Sequence, residues 1–187
     1  MDLPWGDEKT VQFITNVGLI TTKGSYGDNI MAAEWTHHVS YTPGLVAVCV
    51  GKSKATLENI RTSKEFGVNI SATDQNVLAS VAGGSSGKNF DKIAALIELG
   101  FKFYKAKKIK TLMVEGAVLN LECKLYKEIE LGDHVMFVGE VVDINLNKEK
   151  ESLAYHKLKY WKMSENIQKP PEQELARIKS IVEKHKK

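Results

Sequence analysis

The sequence predicts an α+β chain, mainly β, built on a closed or nearly closed antiparallel barrel with inserted helices and a C-terminal helix. Three observations predict it. Six or more short apolar or alternating runs are separated by turns rich in Gly, Pro and Asp. Helical patterns fall between those runs too irregularly for a doubly wound parallel sheet. The length of 187 residues suits one sizeable core, read here as a domain over 1–168 and an amphipathic helix over 169–187 packed on that domain or on a dimer partner.

The first strand is expected over Val11–Thr22, ending in the turn Lys23–Asp28. A second strand, Ile30–Ser40, is broken by Thr42-Pro43-Gly44, because Pro43 can donate no ladder bond. Leu45–Val50 is a continuous apolar run suited to a strand buried on both faces. Ser53 then reads as the N-cap of a helix to about Ser63, with Leu57 and Ile60 on one face. Phe66–Ile70 is a short strand. Thr73 or Asp74 is placed to cap a helix that runs to Ala82 and stops at Gly83. Another helix is expected over Phe90–Leu99, with Gly100 just past its end. Ala117, Leu119, Leu121, Cys123 and Leu125 share one face of a period-two run. Met136, Val138, Val142, Ile144 and Leu146 share a face of the next, with Leu131–His134 turning between them. After Pro170-Pro171, the stripe Leu175, Ile178 and Val182 marks an amphipathic helix with bases at its end, where they complement the dipole.

Net charge is +3, carried almost wholly by lysine, since Arg61 and Arg177 are the only arginines. Nucleic-acid readers favour the bidentate arginine fork, so that partner class is disfavoured. Cys49 and Cys123 lie in apolar runs without CxxC spacing and read as free thiols of a cytoplasmic protein. The sequence shows no apolar run of membrane-spanning length and no signal-peptide core, so no membrane is expected.

Two segments suit an anion. Gly51-Lys52-Ser53-Lys54-Ala55-Thr56 leaves a buried strand and opens a helix, where unpaired N–H groups and the dipole favour negative charge. An ordinary Ser cap with two surface lysines is the plainer reading of the same residues. Gly83–Asn89 resembles a phosphate loop but has three residues, not four, before its Gly-Lys pair, and Asn89 stands where Ser or Thr is required. ATP hydrolysis is therefore not expected. His37 and His38 are strand neighbours and should face opposite ways, so no metal set is expected.

Taken in order, NIMAAEWTHHVSYTPGLVAVCV, KATLENIRTSKEF followed by Val68-Asn69, SSGKNFDK and GDHVMFVGEV resemble the flavin reductase-like, FMN-binding split-barrel family, which includes the flavoredoxins. The resemblance covers roughly Val11 to Trp161. It implies an antiparallel split barrel with FMN lying against it, commonly near a homodimer interface. Carried over residue by residue, it places Asn29, Met31, Ala32, Ala33, Glu34, Trp35 and Thr36 along the flavin, the alanines permitting close approach. Gly51, Ser53, Lys54 and Thr56 match the helix start that meets phosphate or ribityl oxygens. Ser85, Ser86, Gly87, Lys88 and Lys92 match a second polar segment, and Tyr160 or Trp161 the late aromatic that encloses the ring. Lys88 stands where many relatives carry Arg, which keeps the charge and loses the fork. His134 matches the residue beside flavin and incoming nicotinamide, with an electrostatic or positioning role in catalysis.

The function so implied is an NAD(P)H-linked flavin or ferric reductase passing electrons from NADH or NADPH through FMN to an acceptor. The alternatives are a flavoredoxin-like carrier reduced by a protein partner and a non-catalytic ligand-binding barrel.

Overall fold

Seven antiparallel strands form one rolled sheet whose two edges are joined by the chain at Glu34-Trp35. The computed structural model describes residues 2–186. A 3-10 turn at Thr10–Gln12 leads into a short strand β1 (Thr15–Asn16), then β2 (Gly18–Gly24) and β3 (Gly27–Ala33). The barrel continues through β4 (Thr36–Ser40), β5 (Leu45–Gly51), helix α1 (Ala55–Ser63) and β6 (Glu65–Ile70). Helices α2 (Asn76–Gly84) and α3 (Lys92–Glu98) follow, then a hairpin of β7 (Phe103–Lys105) and β8 (Leu112–Val114). Long strands β9 (Leu119–Leu131) and β10 (His134–Leu146) precede β11 (Ala154–His156), β12 (Lys159–Trp161) and helix α4 (Glu172–Lys184).

The large sheet runs β3-β2-β6-β9-β10-β5-β4, so β3 and β4, consecutive in the chain, occupy opposite edges. This corrects the single strand expected over Ile30–Ser40. Glu34 and Trp35 leave the extended ladder and carry the chain across the split, and the Trp35 carbonyl accepts from Cys49 N at 3.0 Å. The first expected strand is likewise divided. Val11 and Gln12 lie in the 3-10 turn, and β1 pairs with β11 in a separate three-stranded sheet. The fold class itself is the one expected, mainly β with four helices.

Two apolar layers hold this sheet. Inside the barrel, Ile20, Val48, Ile60, Phe66, Val68 and Phe137 are fully buried, and Leu57 of α1 closes one end. On the outer side of β2 and β3, Leu19 and Ile30 pack against Leu78 and Ala82 of α2 and Ile93 and Leu96 of α3. Each large buried side chain contributes about 1.5–3 kcal/mol of transfer free energy. Strand β2 is buried on both faces because one face enters each layer.

Strand β10 departs from simple alternation. Its pairing with β9 slips between Val138 and Gly139 and again between Val141 and Asp143, leaving Val142 as an extra residue. One inserted residue inverts every later side chain. Met136 and Val138 therefore face away from Ile144 and Leu146, and Val135, Phe137 and Val141 point into the barrel. Ile144 pairs across to the core residue Leu121 yet is 61% exposed at the barrel rim. A similar irregularity between His38 and Ser40 distorts edge strand β4. The His37 and His38 rings stand 4.6 Å apart there, instead of facing away from each other as a regular strand would require. Among the described residues, no group of three His, Cys, Asp or Glu side chains is placed to hold a metal.

Helix α4 forms with the expected stripe, and none of its residues is buried. No helix among the described residues is long and apolar enough to cross a membrane.

Candidate functional site

The residues singled out in sequence converge around the split between β3 and β4. Asn29 is buried on β3, and its Nδ2 donates to Thr56 Oγ1 at 3.0 Å. This bond ties the edge strand to the first turn of α1. Gly87 approaches the other side of the same amide so closely that a Cβ there would stand 2.0 Å from Asn29 Oδ1. Glycine at 87 is therefore a spatial requirement. A Cβ at Gly83 would reach Ala32 Cβ at 3.4 Å, so Ala32 lines the contact between α2 and β3, whereas Ala33 packs in the barrel core.

The start of α1 differs from the expected capped helix. Lys54, not Ser53, occupies the N-cap position, and no side chain caps the turn. Ser53 and Lys54 are both exposed, so the N-terminal amides and a lysine charge meet at the surface there. Lys88 adds a second charge, with its Nζ 5.6 Å from the centroid of the Tyr26 ring. Tyr26 went unnoticed in sequence because nothing local marks a turn tyrosine as the backing for a lysine 62 positions away.

Lys92 is almost completely buried, and its Nζ donates to Ala82 O at 3.0 Å and Ser85 O at 3.1 Å. The ammonium thus satisfies carbonyls at the end of α2, which continues through Gly83 and Gly84 instead of stopping at Gly83. The start of α2 is also shifted, to Asn76 with Gln75 before it, and α3 begins at Lys92 behind an Asp91 cap. Burial, and secondarily the Lys54 charge, lowers the Lys92 pKa to about 8. Lys92 fixes where Ser85, Ser86, Gly87 and Lys88 begin their loop.

Next to the start of α1, the exposed Trp35 stacks obliquely on His134, with ring centroids 4.7 Å apart. His134 pairs with Gly51 across β10 and β5, and a Cβ on Gly51 would lie 3.7 Å from both His134 Nε2 and Lys54 Cγ. His134 Nδ1 bonds Asp133 Oδ1 at 2.7 Å, which holds the Asp133 carboxyl below its ordinary range. The Gly-Asp-His turn carried that signal in sequence, an acid beside an imidazole. Met31, Ala33 and Thr36 are buried behind this surface, whereas Glu34 is half-buried and takes a hydrogen bond from Trp5 Nε1 at 3.2 Å. Trp161 stands on the small sheet, its Nε1 donating to His156 O at 2.8 Å, and Tyr160 reaches Ser80 Oγ at 3.3 Å.

The arrangement gathers cations and free amides at the start of α1, with the imidazole of His134 next to Lys54 across Gly51 and the exposed indole of Trp35 stacked on that imidazole. Those residues fit a flavin mononucleotide: an uncapped helix start with Lys54 and Lys88 suits a phosphate, and the Trp35 face suits a planar ring. A split barrel carrying such a cluster of residues defines a class, the flavin-dependent oxidoreductases built on this sheet. The chain belongs to the flavin reductase like domain family, which matches residues 10–164.

Individual relatives agree. An uncharacterised protein of Archaeoglobus fulgidus is 33% identical over 116 residues, which span 62% of this chain and 64% of that protein. The NADH-dependent FAD reductase of Streptomyces globisporus is 27% identical over 144 residues, 76% of each chain. Among solved structures, the flavin reductase PheA2 superposes with a TM-score of 0.73 at 29% identity, over 88% of this chain and all (100%) of that one.

Proposed function

We propose that the chain is an NAD(P)H-linked flavin reductase that holds FMN in the cleft between α1, the Ser85–Lys88 loop and the Glu34-Trp35 crossing, as a cytoplasmic homodimer. The observation that carries this reading is the junction at Thr56. One hydrogen bond there joins the strand expected to follow the flavin to the helix start expected to hold its phosphate. Bound flavin would supply the redox chemistry, taking a hydride from a reduced nicotinamide and passing two electrons to an acceptor.

The protein's part is binding and orientation. Lys54 and Lys88 hold the phosphate, with Ser53, Ser85 and Ser86 as hydroxyl donors near it. Trp35 offers a flat apolar surface for the ring. His134, fixed by Asp133, orients the incoming substrate and supplies a hydrogen-bonding edge beside Trp35. Lys92 acts on this site indirectly, through the loop it anchors.

The test is an absorbance spectrum of the purified chain with FMN, followed by anaerobic titration with NADH and NADPH. Rapid bleaching of the flavin bands by either nicotinamide is expected. If FMN binds and neither nicotinamide bleaches it, the chain is instead a carrier reduced by a protein partner. If FMN does not bind, the cleft assignment fails.

A further inference from the structure

The ammonium of Lys92 is enclosed without an opposing charge. The residue is 3% exposed, and its Nζ donates to two neutral groups, Ala82 O at 3.0 Å and Ser85 O at 3.1 Å. No carboxylate among the described residues forms an ion pair with it. On its own helix, Asp91 is committed to the cap, its Oδ1 accepting from Ala94 N at 2.9 Å. On β3, Asp28 pairs with Lys23 at 3.5 Å. In the loop, Lys88 stands over the Tyr26 ring, and from the start of α1 Lys54 adds like charge. A buried cation without a counter-ion is costly, and either loss of its proton or arrival of an anion relieves that cost.

The loop that this ammonium holds leads to the proposed phosphate contacts. Two residues beyond Ser85, Gly87 stands against the Asn29 amide with no room for a Cβ. Asn29 Nδ2 in turn donates to Thr56 Oγ1 in the first turn of α1. Loss of the Lys92 proton turns two charge-assisted bonds into ordinary ones and weakens the hold on the loop. We propose that phosphate and proton bind this site together, with Lys92 as a positioning residue that grips the Ser85–Lys88 loop best while charged. A bound phosphate dianion in turn holds the proton on Lys92 Nζ. The proposal rests on the flavin reading above and adds the regulation of that site by pH. Lys54 shows the coupling with opposite sign, because its charge adds to burial in lowering the Lys92 pKa to about 8. A dianion bound at Lys54 pushes the other way. Above about pH 8 the free chain must therefore take a proton from solvent as phosphate enters, so affinity falls as pH rises.

Equilibrium titration of the full chain with FMN and with riboflavin, from about pH 7 to about pH 9, tests this. The FMN phosphate is a dianion over that range, since its second ionisation lies near about pH 6, and riboflavin corrects for titration of the ring. FMN affinity should fall about five- to tenfold, while riboflavin affinity stays level. Calorimetry of the wild type at about pH 8.5, in two buffers of different ionisation enthalpy, should count about half a proton or more taken up with FMN and none with riboflavin. Lys92→Arg keeps charge and donors throughout, so a variant chain whose Tm shows it folded should hold FMN equally well at both ends of the range. If FMN fails to bind at the lower pH, the flavin reading falls and the linkage with it. If FMN binds but its affinity stays within about twofold, or follows the riboflavin curve, the linkage alone is overturned. Absence of proton uptake in the wild type overturns it without reference to any variant, as does a folded Lys92→Arg chain that keeps the wild-type loss.

Discussion

The molecule uses lysine in two opposite ways around the connection between α2 and α3. Lys92 is buried, and its ammonium is committed to the Ala82 and Ser85 carbonyls. Lys54 and Lys88 are exposed, one at the uncapped start of α1 and the other with its Nζ 5.6 Å from the centroid of the Tyr26 ring. The buried lysine fixes where the loop begins, and the exposed pair keep their charge at the surface. The difference teaches that anchoring the loop and offering charge are separate devices here, and substitutions should affect one and spare the other.

The sharpest separation comes from Gly87→Ala. The added Cβ collides with Asn29, so FMN affinity should fall about 10- to 100-fold, as for an overpacking cost of about 1–3 kcal/mol. The salt dependence of the remaining binding should stay at the wild-type level, because Lys54 and Lys88 are unchanged. If it is lost as well, the shape of the loop and its charge are not independent. Next, Lys54→Ala and Lys88→Ala should each weaken FMN about tenfold, the scale of one charge-assisted bond. The losses should shrink in high salt, since both lysines are exposed. Equilibrium titration at two ionic strengths checks this.

Lys92→Met probes the anchor of the loop. It strands two carbonyls and should lower stability by about 1–3 kcal/mol at neutral pH. Its pH signature is specific. The folded pKa of about 8 lies below the ordinary 10.5, so between those values the unfolded chain holds more protons and wild-type stability rises with pH. Below about 8 both states are protonated and this lysine contributes no slope. Denaturant titrations from neutral to alkaline pH should show that rise in the wild type and its absence in Lys92→Met. The smallest effect belongs to truncation after Lys169. Because α4 buries none of its residues, monomer stability should change by less than about 0.5 kcal/mol. A larger loss, dependent on protein concentration, would place the stripe Leu175, Ile178 and Val182 against a partner copy.

Much of this was legible from local pattern. The apolar run Leu45–Val50, the helix over 55–63 and the Gly100 stop required only burial, periodicity and a positive-φ glycine, here at +91°. The segments proposed to meet flavin stand out through their order along the chain. Their division of labour was not. Lys54, Lys88 and Lys92 look alike in sequence, yet two are exposed and the third is buried against the end of α2. The inverted half of β10 was also unreadable, because Val142 matches an apolar alternation and only the pairing with β9 makes it the extra residue.

By itself, the sequence determined the mainly-β class, the helix inserts and the lysine-rich, glycine-rich segments able to meet a phosphate, since these follow from propensity, period and charge within a short window. Tertiary structure alone decided that β3 and β4 lie at opposite edges, that Trp35 stands between them, and that Lys92 is buried against backbone carbonyls of α2 and the Ser85 loop. Those outcomes depend on which distant backbone satisfies which hydrogen bond as the sheet rolls up, and no short window of sequence contains that information.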